Sequence, residues 1–450
     1  MNEHIISHDG PGHRYLASLS ARGVVLGLER VRELCARLGD PQRRLRPILV
    51  AGTNGKGSTT AMLSVMLSAA GMRVGTFISP HLVETRERIR IGDACVSAEA
   101  LDAALLRVQA AAAAGAAGGA LDPTPFEALT AAAFLVFAEA DLHVVVLEVG
   151  LGGRLDATNV CDPWVSIVTR IGHDHQHILG QTLAAIAEQK VAIGRPGKPL
   201  VVSQGAVTMG ALRRIGLHCD VRKVGVDLRI EDASVAGRTL RTRGVLVGRA
   251  VGEPLHVEID LPGVHQLENA AAAVLGYVAF AEALVAAGLP GLPAPVEVVW
   301  ALGEVQWPAR AEILQDQPLV VLDGAHNAEG MEVLRDLLLA RGPRWQVVLS
   351  LRDNRDPEEV IRVLAPLAET FFLPRLEGPT LRSPNALAEA IETISPESPI
   401  AVGPPAACIR AALDEASPIG GVVICGSLHA VGEWLGRGML RSPRLQRWLG

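Results

Sequence analysis

The feature that most constrains this chain is a glycine loop between an apolar run and a second apolar segment. Residues 47–51 (Pro-Ile-Leu-Val-Ala) are typical of a buried strand, and residues 52–58 (Gly-Thr-Asn-Gly-Lys-Gly-Ser) contain three glycines and one lysine. The order predicts strand, loop and helix. Bare glycine backbone lets several N–H groups converge on a phosphate oxygen, the helix N-terminus adds partial positive charge, and Lys56 adds a full charge. A hydroxyl of Ser58 or Thr59 then lies within reach of a magnesium ion.

The loop departs from the usual phosphate-loop spacing, GxxxxGK[ST]. Val50 stands where the first glycine belongs, and Gly57 separates Lys56 from Ser58. On this stretch alone, a glycine-rich turn that binds nothing remains an alternative. The flanking strand and helix favour the phosphate site.

Length and composition indicate a globular protein of two or three domains. Its 450 residues exceed the usual span of one core, and 49% hydrophobic with 20% charged residues excludes a disordered chain. A net charge of −6 gives no reason to expect nucleic acid or an anionic membrane as a partner. Six scattered cysteines signal neither zinc nor disulfides, and the N-terminus lacks a basic-then-apolar signal. The apolar runs are too short for a membrane span, so we expect a soluble cytoplasmic protein.

Apolar runs alternate with amphipathic segments, which predicts an α/β fold. Further predicted strands are 73–78, 142–149 and 165–169, and predicted helices are 14–40, 98–120 (ending in a loop), 124–137 and 182–193. Pro125 and Glu127 lie in the first turn of their helix, where Glu127 is either a dipole-favoured acid or a substrate contact. The segment 150–155 lacks the last glycine of GxGxxG, which excludes a dinucleotide fingerprint.

Polar residues follow the ends of three predicted strands. Ser79 follows 73–78, Glu148 ends 142–149, and His175 comes after 165–169. In a doubly wound sheet these ends lie on the side of the glycine loop. Two oxygen ligands and one imidazole beside a phosphate cradle suit Mg²⁺, so we predict a metal site there.

The rest of the chain indicates a second domain. Short strand-like pieces occupy 200–260, an alanine-rich helix runs to about 287, and the proline-dense segment 289–295 marks a joint. After this segment, predicted strands and helices alternate again. We therefore predict a doubly wound, P-loop-type domain over 1–304 and a smaller α/β domain over 305–450.

Several motifs, in order along the chain, resemble one family. They are residues 51–58, Ser79-Pro80-His81-Leu82 with 87–89, residues 147–159 and Asp323-Gly324-Ala325-His326-Asn327. The set resembles folylpolyglutamate synthase/dihydrofolate synthase, of the Mur ligase superfamily of ATP-dependent amide ligases. The resemblance extends from Gly27 to Ser427 and accounts for the short glycine loop.

The resemblance implies site residues. The ATP phosphates would contact Asn54, Gly55, Lys56, Gly57 and Ser58, and the nucleotide would contact Asn269, Arg310 and Asp323 across a domain cleft. Mg²⁺ would be held by Ser79, Glu148 and His175, Lys190 would be carbamylated, and His326 would lie beside the reacting phosphate. The pterin-binding loops would be formed by Thr124, Pro125, Phe126 and Glu127 and by Leu155, Asp156 and Ala157. Of these, Lys56, Lys190, His326 and Arg310 are the predicted catalytic residues.

Three segments depart from the family pattern. The lysine stands in Glu-Gln-Lys190-Val-Ala-Ile where the family has Glu-Lys-Ala-Gly-Ile, and Ala309 replaces a glycine before Arg310. Residues 353–356 (Asp-Asn-Arg-Asp) replace Asp-Lys-Asp, which leaves the contact of that loop open.

The implied reaction is phosphorylation of a substrate carboxylate by ATP, followed by attack of the amine of L-glutamate on the acyl phosphate. The acceptor is dihydropteroate, a reduced folate, or both, and we expect a monomer whose partners are small molecules. One alternative is a cell-wall ligase of the same superfamily. Another is a non-catalytic nucleotide switch.

Overall fold

The elements below come from a computed structural model that describes residues 10–20, 23, 25–114, 119–203, 205–236, 241–376, 381–417 and 419–449. The strands are β1 Pro47–Ala51, β2 Val74–Phe77, β3 Ile89–Ile91, β4 Ala94–Cys95, β5 Val144–Glu148, β6 Val165–Val168, β7 Pro199–Val202, β8 Asp220–Lys223, β9 Arg229–Ala236, β10 Arg241–Val247, β11 Leu255–Ile259, β12 Glu312–Asp316, β13 Leu319–Leu322, β14 Arg344–Leu349, β15 Ala368–Pro374, β16 Ile400–Gly403 and β17 Gly420–Cys425. The α-helices are α1 Pro11–Ser18, α2 Glu29–Arg37, α3 Lys56–Ala69, α4 Ala98–Ala113, α5 Pro125–Glu139, α6 Gln176–Leu179, α7 Leu183–Val191, α8 Gly205–Ile215, α9 His265–Ala286, α10 Pro295–Val298, α11 Ala328–Leu339, α12 Pro357–Leu364, α13 Pro384–Ile394, α14 Pro405–Asp414, α15 Leu428–Gly436 and α16 Pro443–Leu449. Short 3-10 helices cover Pro41–Arg44, Thr85–Arg88, Ala157–Val160 and Val299–Glu304.

The glycine loop leaves the middle of the larger sheet. Its strand order is β4-β3-β2-β5-β1-β6-β7-β8, parallel from β2 to β8 with β3 and β4 antiparallel at one edge. Strand β1 pairs with β5 on one side and β6 on the other. The carboxyl ends of β1, β5 and β6 are therefore adjacent, and the loops that follow them converge at one edge.

Both faces of this sheet are buried, as the continuous apolar strands predict. Ile48 and Val50 of β1 belong to the core under α3 and α9, whereas Leu49 and Ala51 belong to the core on the opposite face. Helix α9 is long and apolar enough to cross a membrane, but 72% of its apolar window is buried inside the protein. That burial is what a central core helix requires.

A second, six-stranded sheet forms the C-terminal part. Its order is β12-β13-β17-β14-β15-β16, parallel except for the antiparallel edge strand β12. Between the two large sheets in sequence lies the antiparallel sheet β11-β10-β9. The larger apolar core continues from β1 to β13 and β17, so the two α/β parts share packed side chains. The mixed α/β class is confirmed, while the division at 304/305 stays a prediction.

Several predicted elements were wrong in extent. Residues 14–40 form two helices, α1 and α2, because Gly23 and Gly27 between them adopt positive φ of 61° and 148°. The segment predicted as short strands also contains helix α8 and the long strand β9. Part of the loop predicted to follow α4, residues 115–118, lies outside the described residues.

Candidate active site

One cavity of about 580 Å³ lies between the carboxyl edge of the larger sheet and the C-terminal sheet. It is lined by most of the residues that the sequence singled out: Asn54, Gly55, Lys56, Gly57, Ser58, Ser79, Thr124, Phe126, Glu127, Glu148, Leu155, Asp156, Ala157, His175, Asn269, Arg310, Asp323 and His326. Pro125 is the first residue of α5 and is not part of the lining, and Lys190 lines a smaller neighbouring cavity.

The glycine loop turns directly into helix α3. Gly55 is the residue before the helix and has φ of 90°, a left-handed conformation that glycine adopts without strain. The loop is tied to the segment after β6, because Thr53 N donates to Arg170 O at 2.7 Å and Thr169 Oγ1 donates to Asn54 O at 2.8 Å. Lys56 Nζ donates to Gly52 O at 3.2 Å, which holds the ammonium group beside the loop.

Neighbouring side chains explain why two glycines flank Lys56. A Cβ at Gly55 would overlap the amide of Asn269, at the start of α9. A Cβ at Gly57 would overlap the indole ring of Trp307, from the segment that leads into the C-terminal sheet. The extra glycine that breaks the usual spacing is therefore the place where Trp307 packs onto the loop.

The three predicted metal ligands line the same cavity. Glu148 is buried at the end of β5, and Ser79 N donates to its Oε2 at 3.0 Å. Burial raises the pKa of Glu148, and the nearby Lys56 and Arg310 oppose that rise. His175 precedes α6 with φ of 50°. A buried acid, a hydroxyl and an imidazole facing one cavity fit a divalent cation.

The metal site remains a prediction. Within the described ranges, no group of three or more His, Cys, Asp or Glu side chains is placed to hold a metal ion. The predicted ligand set therefore depends on the hydroxyl of Ser79, together with Glu148 and His175.

Lys190 is buried behind the glycine loop. Its Nζ donates to Gly52 O at 2.7 Å, and it lines a cavity of about 40 Å³ together with Lys56 and His175. Burial, reinforced by the positive charge of Lys56, lowers the pKa of Lys190 to about 7. A large fraction of the amine is thus uncharged near neutral pH, in the form that reacts with carbon dioxide.

On the C-terminal side, Asp323 follows β13 and holds the loop that carries Arg310. Its Oδ2 accepts from Ala311 N at 2.7 Å, and its Oδ1 accepts from Ala325 N at 2.6 Å. Ala309, the residue that departs from the family glycine, has φ of 54°. The chain thus keeps the left-handed turn before Arg310 with an alanine in it.

His326 is neutral in this environment. Its Nδ1–H donates to Gly324 O at 2.8 Å, which leaves Nε2 as the acceptor nitrogen. Burial, reinforced by the guanidinium of Arg355, lowers the pKa of His326 to about 4.

The predicted pterin loops contain one apolar contact, made by Phe126, and two carboxylates, Glu127 and Asp156, that are hydrogen-bonded within the protein. Phe126 packs against Gly150, where a Cβ would overlap its ring. Glu127 accepts from Thr124 N at 2.7 Å in a capping box and receives two bonds from Arg30, at 2.9 and 3.1 Å. Asp156 accepts from Leu151 N at 2.8 Å and from Thr158 N and Oγ1 at 3.0 and 2.6 Å. Both carboxylates therefore shape the loops, and their contact with a substrate stays a prediction.

Sequence reasoning missed several charged residues at or beside this site, among them Arg30, Asp174 and Glu329. Arg30 opens α2 and pairs with Glu127, 97 positions away. Asp174, next to His175, pairs with Arg355 of the loop whose contact was left open. The segment Gly-His-Asp-His at 172–175 was the available signal for Asp174, but its partner was not apparent from spacing.

Comparison with known proteins is consistent with this geometry. Residues 50–276 match the Mur ligase middle domain, and residues 309–428 match the Mur ligase, glutamate ligase domain. Fold and site together define a ligase of the Mur type.

The chain is 35% identical over 376 residues to the dihydrofolate synthase/folylpolyglutamate synthase of Bacillus subtilis, covering 82% of this chain and 86% of that protein. It therefore belongs to the dihydrofolate synthase/folylpolyglutamate synthase family. A solved structure of E. coli FolC in complex with DHPP and ADP aligns with a TM-score of 0.80 at 29% identity, covering 95% of this chain and 97% of that one. A bifunctional folylpolyglutamate synthase/dihydrofolate synthase with Mn, AMPPNP and L-glutamate bound aligns with a TM-score of 0.79 at 29% identity, covering 96% and 99%.

Proposed function

We propose that this protein uses ATP to join L-glutamate to the carboxylate of a pterin acceptor, dihydropteroate or a reduced folate, with release of ADP and phosphate. The observation that carries the proposal is the single cavity that brings the glycine loop, the buried Glu148 and the Arg310 loop together. One related structure holds DHPP and ADP, and another holds Mn, AMPPNP and L-glutamate, which supports a reaction between a nucleotide and L-glutamate.

The first step is phosphorylation of the acceptor carboxylate to an acyl phosphate. Negative charge spreads over the transferred phosphoryl oxygens, so fixed positive groups lower the barrier. Lys56 and the N-terminus of α3 line the cavity from the larger sheet, and Arg310 lines it from the C-terminal side, so both would face a triphosphate bound between them. A divalent cation held by Ser79, Glu148 and His175 would supply further positive charge at the phosphates.

In the second step the amine of L-glutamate attacks the acyl phosphate. The amine must lose a proton before it can act as a nucleophile. His326, kept neutral by burial, lines the cavity, and its Nε2 can accept a hydrogen bond from the attacking amine and so help to orient it. Asp323 contributes by holding the Arg310 loop in place through the backbone N–H of Ala311.

We also propose that Lys190 is carbamylated. The Lys190 ammonium first loses one proton. The uncharged amine then attacks carbon dioxide, forms one C–N bond as one C=O π bond opens, and releases a second proton, so that a cation becomes an anion. The small cavity beside Lys190 and its lowered pKa support this step. The carbamate would place negative charge next to Lys56 and on the side of His175, where it favours a bound cation.

The decisive experiment is a ligation assay with ATP, Mg²⁺, L-glutamate and each acceptor in turn, followed by ADP release and product mass. We expect glutamate-dependent ADP release and a product heavier than the acceptor by one or more glutamyl residues. Turnover with a UDP-linked precursor alone would instead indicate a cell-wall ligase, which the family matches do not favour. Nucleotide binding without glutamate-dependent turnover would indicate a switch and would overturn the proposal.

Three further proposals concern the partners, the oligomeric state and the cellular location of the protein. Partners of this chain are proposed to be the small-molecule substrates, without nucleic acid or membrane. A monomeric state and a cytoplasmic location are likewise proposals, to be checked by sedimentation and by cell fractionation.

A further inference from the structure

A buried ion pair crosses the cleft beside the predicted metal site. Arg355 Nη1 donates to Asp174 Oδ1, and the two side chains are 14% and 13% exposed. Asp174 comes from the loop after β6, whereas Arg355 comes from the segment between β14 and α12. The pair therefore joins the two α/β parts within the cavity lining.

Asp174 is also bonded to the residue that follows it. Its Oδ1 accepts from the backbone N of His175 at 2.8 Å, so one oxygen receives both the guanidinium and this N–H. His175 has φ of 50°, an uncommon conformation for a residue other than glycine. Such a conformation persists when surrounding contacts determine it, and the Asp174 carboxylate is one of those contacts.

Arg355 projects from a firmly held loop. Arg382 Nη2 donates to the carbonyl oxygens of Arg355 and Asp353, both at 2.8 Å, and Arg382 N donates to Leu351 O at 2.8 Å. Asp356 then caps α12 by accepting from Glu358 N at 2.9 Å. The position of the guanidinium is thus set by the C-terminal sheet and moves with it.

A second contact from the C-terminal part covers the loop after β6, residues 172–175. Asn54 Nδ2 donates to Glu329 Oε2 at 3.0 Å, and the Glu329 carboxylate packs against Gly172, where a Cβ would overlap it. Residues 172–175 are therefore covered from two directions by the C-terminal part. Among the described residues, Arg355 influences the pKa of Asp174, His175, His326 and Arg352, and Asp174 is the acid in this group and the ion-pair partner of Arg355.

We propose that Arg355 is a positioning residue of the ligation reaction, which acts through Asp174 to hold His175 in the cleft when the C-terminal part closes on it. The inference rests on the proposed function. In this chain the loop 353–356 carries Arg355 where the family has a lysine. The planar guanidinium of Arg355, unlike the point charge of a lysine, reaches across the cleft to the loop that carries His175.

The test compares Arg355→Ala, Arg355→Lys and the control Arg362→Ala. Arg362 lies on α12 and forms an exposed pair with Glu358. Because groups that orient a metal ligand typically contribute about 10- to 100-fold, we expect Arg355→Ala to lower kcat by that factor with KM for ATP changed less than about twofold. Arg355→Lys should restore part of the loss, and Arg362→Ala should leave kcat unchanged.

Two further measurements exclude a merely structural role. Amide hydrogen exchange of residues 172–179, measured without substrates, should be faster in Arg355→Ala than in the wild type and unchanged in Arg362→Ala. In an Asp174→Asn background, Arg355→Ala should cause little additional loss of kcat, since both changes interrupt one contact.

The outcomes separate the inference from the proposed function. Unchanged exchange at 172–179, or additive losses in the double variant, would overturn the positioning role. If the wild type does not ligate glutamate while exchange still responds to Arg355→Ala, the coupling stands and the proposed function fails. Should Arg355→Ala not fold, the same comparisons are made with Arg355→Lys, whose normal kcat and normal exchange would contradict the inference.

Discussion

Three titratable side chains near the carboxyl ends of β1 and β5, Lys56, Glu148 and Lys190, influence one another's pKa. Lys56 stabilises the ionised form of Glu148 and destabilises the ammonium form of Lys190, as the causes of their pKa shifts show. Lys56 would pair with a bound phosphate, and Glu148 would pair with a divalent cation. At the scale of the residue, the site is therefore built to receive charges of both signs.

Lys56→Ala tests the phosphate role. Removal of the only lysine in the glycine loop should lower kcat/KM by at least about 10²-fold, because a fixed positive charge at the transferred phosphoryl group is lost. The measurement is ADP release under the ligation conditions. A matched control is Lys198→Ala, which breaks an exposed pair with Asp162 before β7 and should leave the rate unchanged. Near-normal ligation by Lys56→Ala would exclude the phosphate role.

Carbamylation of Lys190 should depend on pH. The pKa of this amine is lowered to about 7, so it is mostly protonated below that pH and mostly neutral above it. The carbamate needs the neutral amine, so its occupancy should fall as the pH decreases through 7 and rise as the pH increases. Native mass spectrometry should detect the mass of one bound carbon dioxide, restored by bicarbonate after degassing.

Lys190→Arg provides the control for that measurement. Arginine keeps a positive charge and stays protonated in proteins, so it forms no carbamate. A carbon dioxide adduct that persists in Lys190→Arg would place the modification elsewhere.

At the scale of the element, the loop and helix α3 are shaped by their neighbours as much as by their own residues. Glycine is needed at position 55 because the backbone there is left-handed, whereas glycine is needed at position 57 because the Trp307 ring leaves no room for a Cβ. The first demand is visible in a short stretch of sequence. The second depends on a ring 250 positions away, which pattern alone does not place.

Gly57→Ala should therefore damage the element. The added methyl group would overlap the buried Trp307 ring, and overpacking of this kind usually costs about 1–3 kcal/mol. We expect a lower free energy of unfolding and a higher KM for ATP, measured by denaturant titration and steady-state kinetics. Gly210→Ala on α8 is the matched helical control, since its Cβ would meet only the flexible end of Arg214 at 3.3 Å. Equal effects of the two changes would refute the packing argument.

The same distinction explains how far the sequence could predict the molecule. Strands β5 and β6 were predictable because their apolar runs are continuous, and the mixed α/β fold follows from such runs. Helices α1 and α2 were predicted as one helical segment over 14–40, although the amphipathic stretch begins only at Gly27, because the positive φ of the glycines at 23 and 27 is not visible in the sequence. The pair Arg355–Asp174 spans 181 positions, and no local pattern encodes such a contact.

At the scale of the whole molecule, the C-terminal segment binds the two α/β parts together. Helix α16 follows the C-terminal sheet, yet Trp448 stacks under Arg90 of β3, with the guanidinium carbon 3.6 Å from the ring. The same ring lies 5.0 Å from Trp307, edge to face at 84°. Just before it, Arg444 donates to Asp260 O at 2.5 Å and to Arg310 O at 3.4 Å. The segment thus supports both the ring beside the glycine loop and the loop of Arg310.

Trp448→Ala should therefore weaken the fold and the site together. Trp448 is 8% exposed, and truncation of such a buried tryptophan usually costs about 3–5 kcal/mol. Loss of its contact with Trp307 removes the support beneath Gly57, so the KM for ATP should rise as well. Trp300→Ala is the control, because Trp300 is 63% exposed and surface changes usually stay within about 0.5 kcal/mol. Denaturant unfolding and ATP kinetics of both variants decide the matter: if Trp448→Ala costs no more than Trp300→Ala, the C-terminal segment does not hold the two parts together.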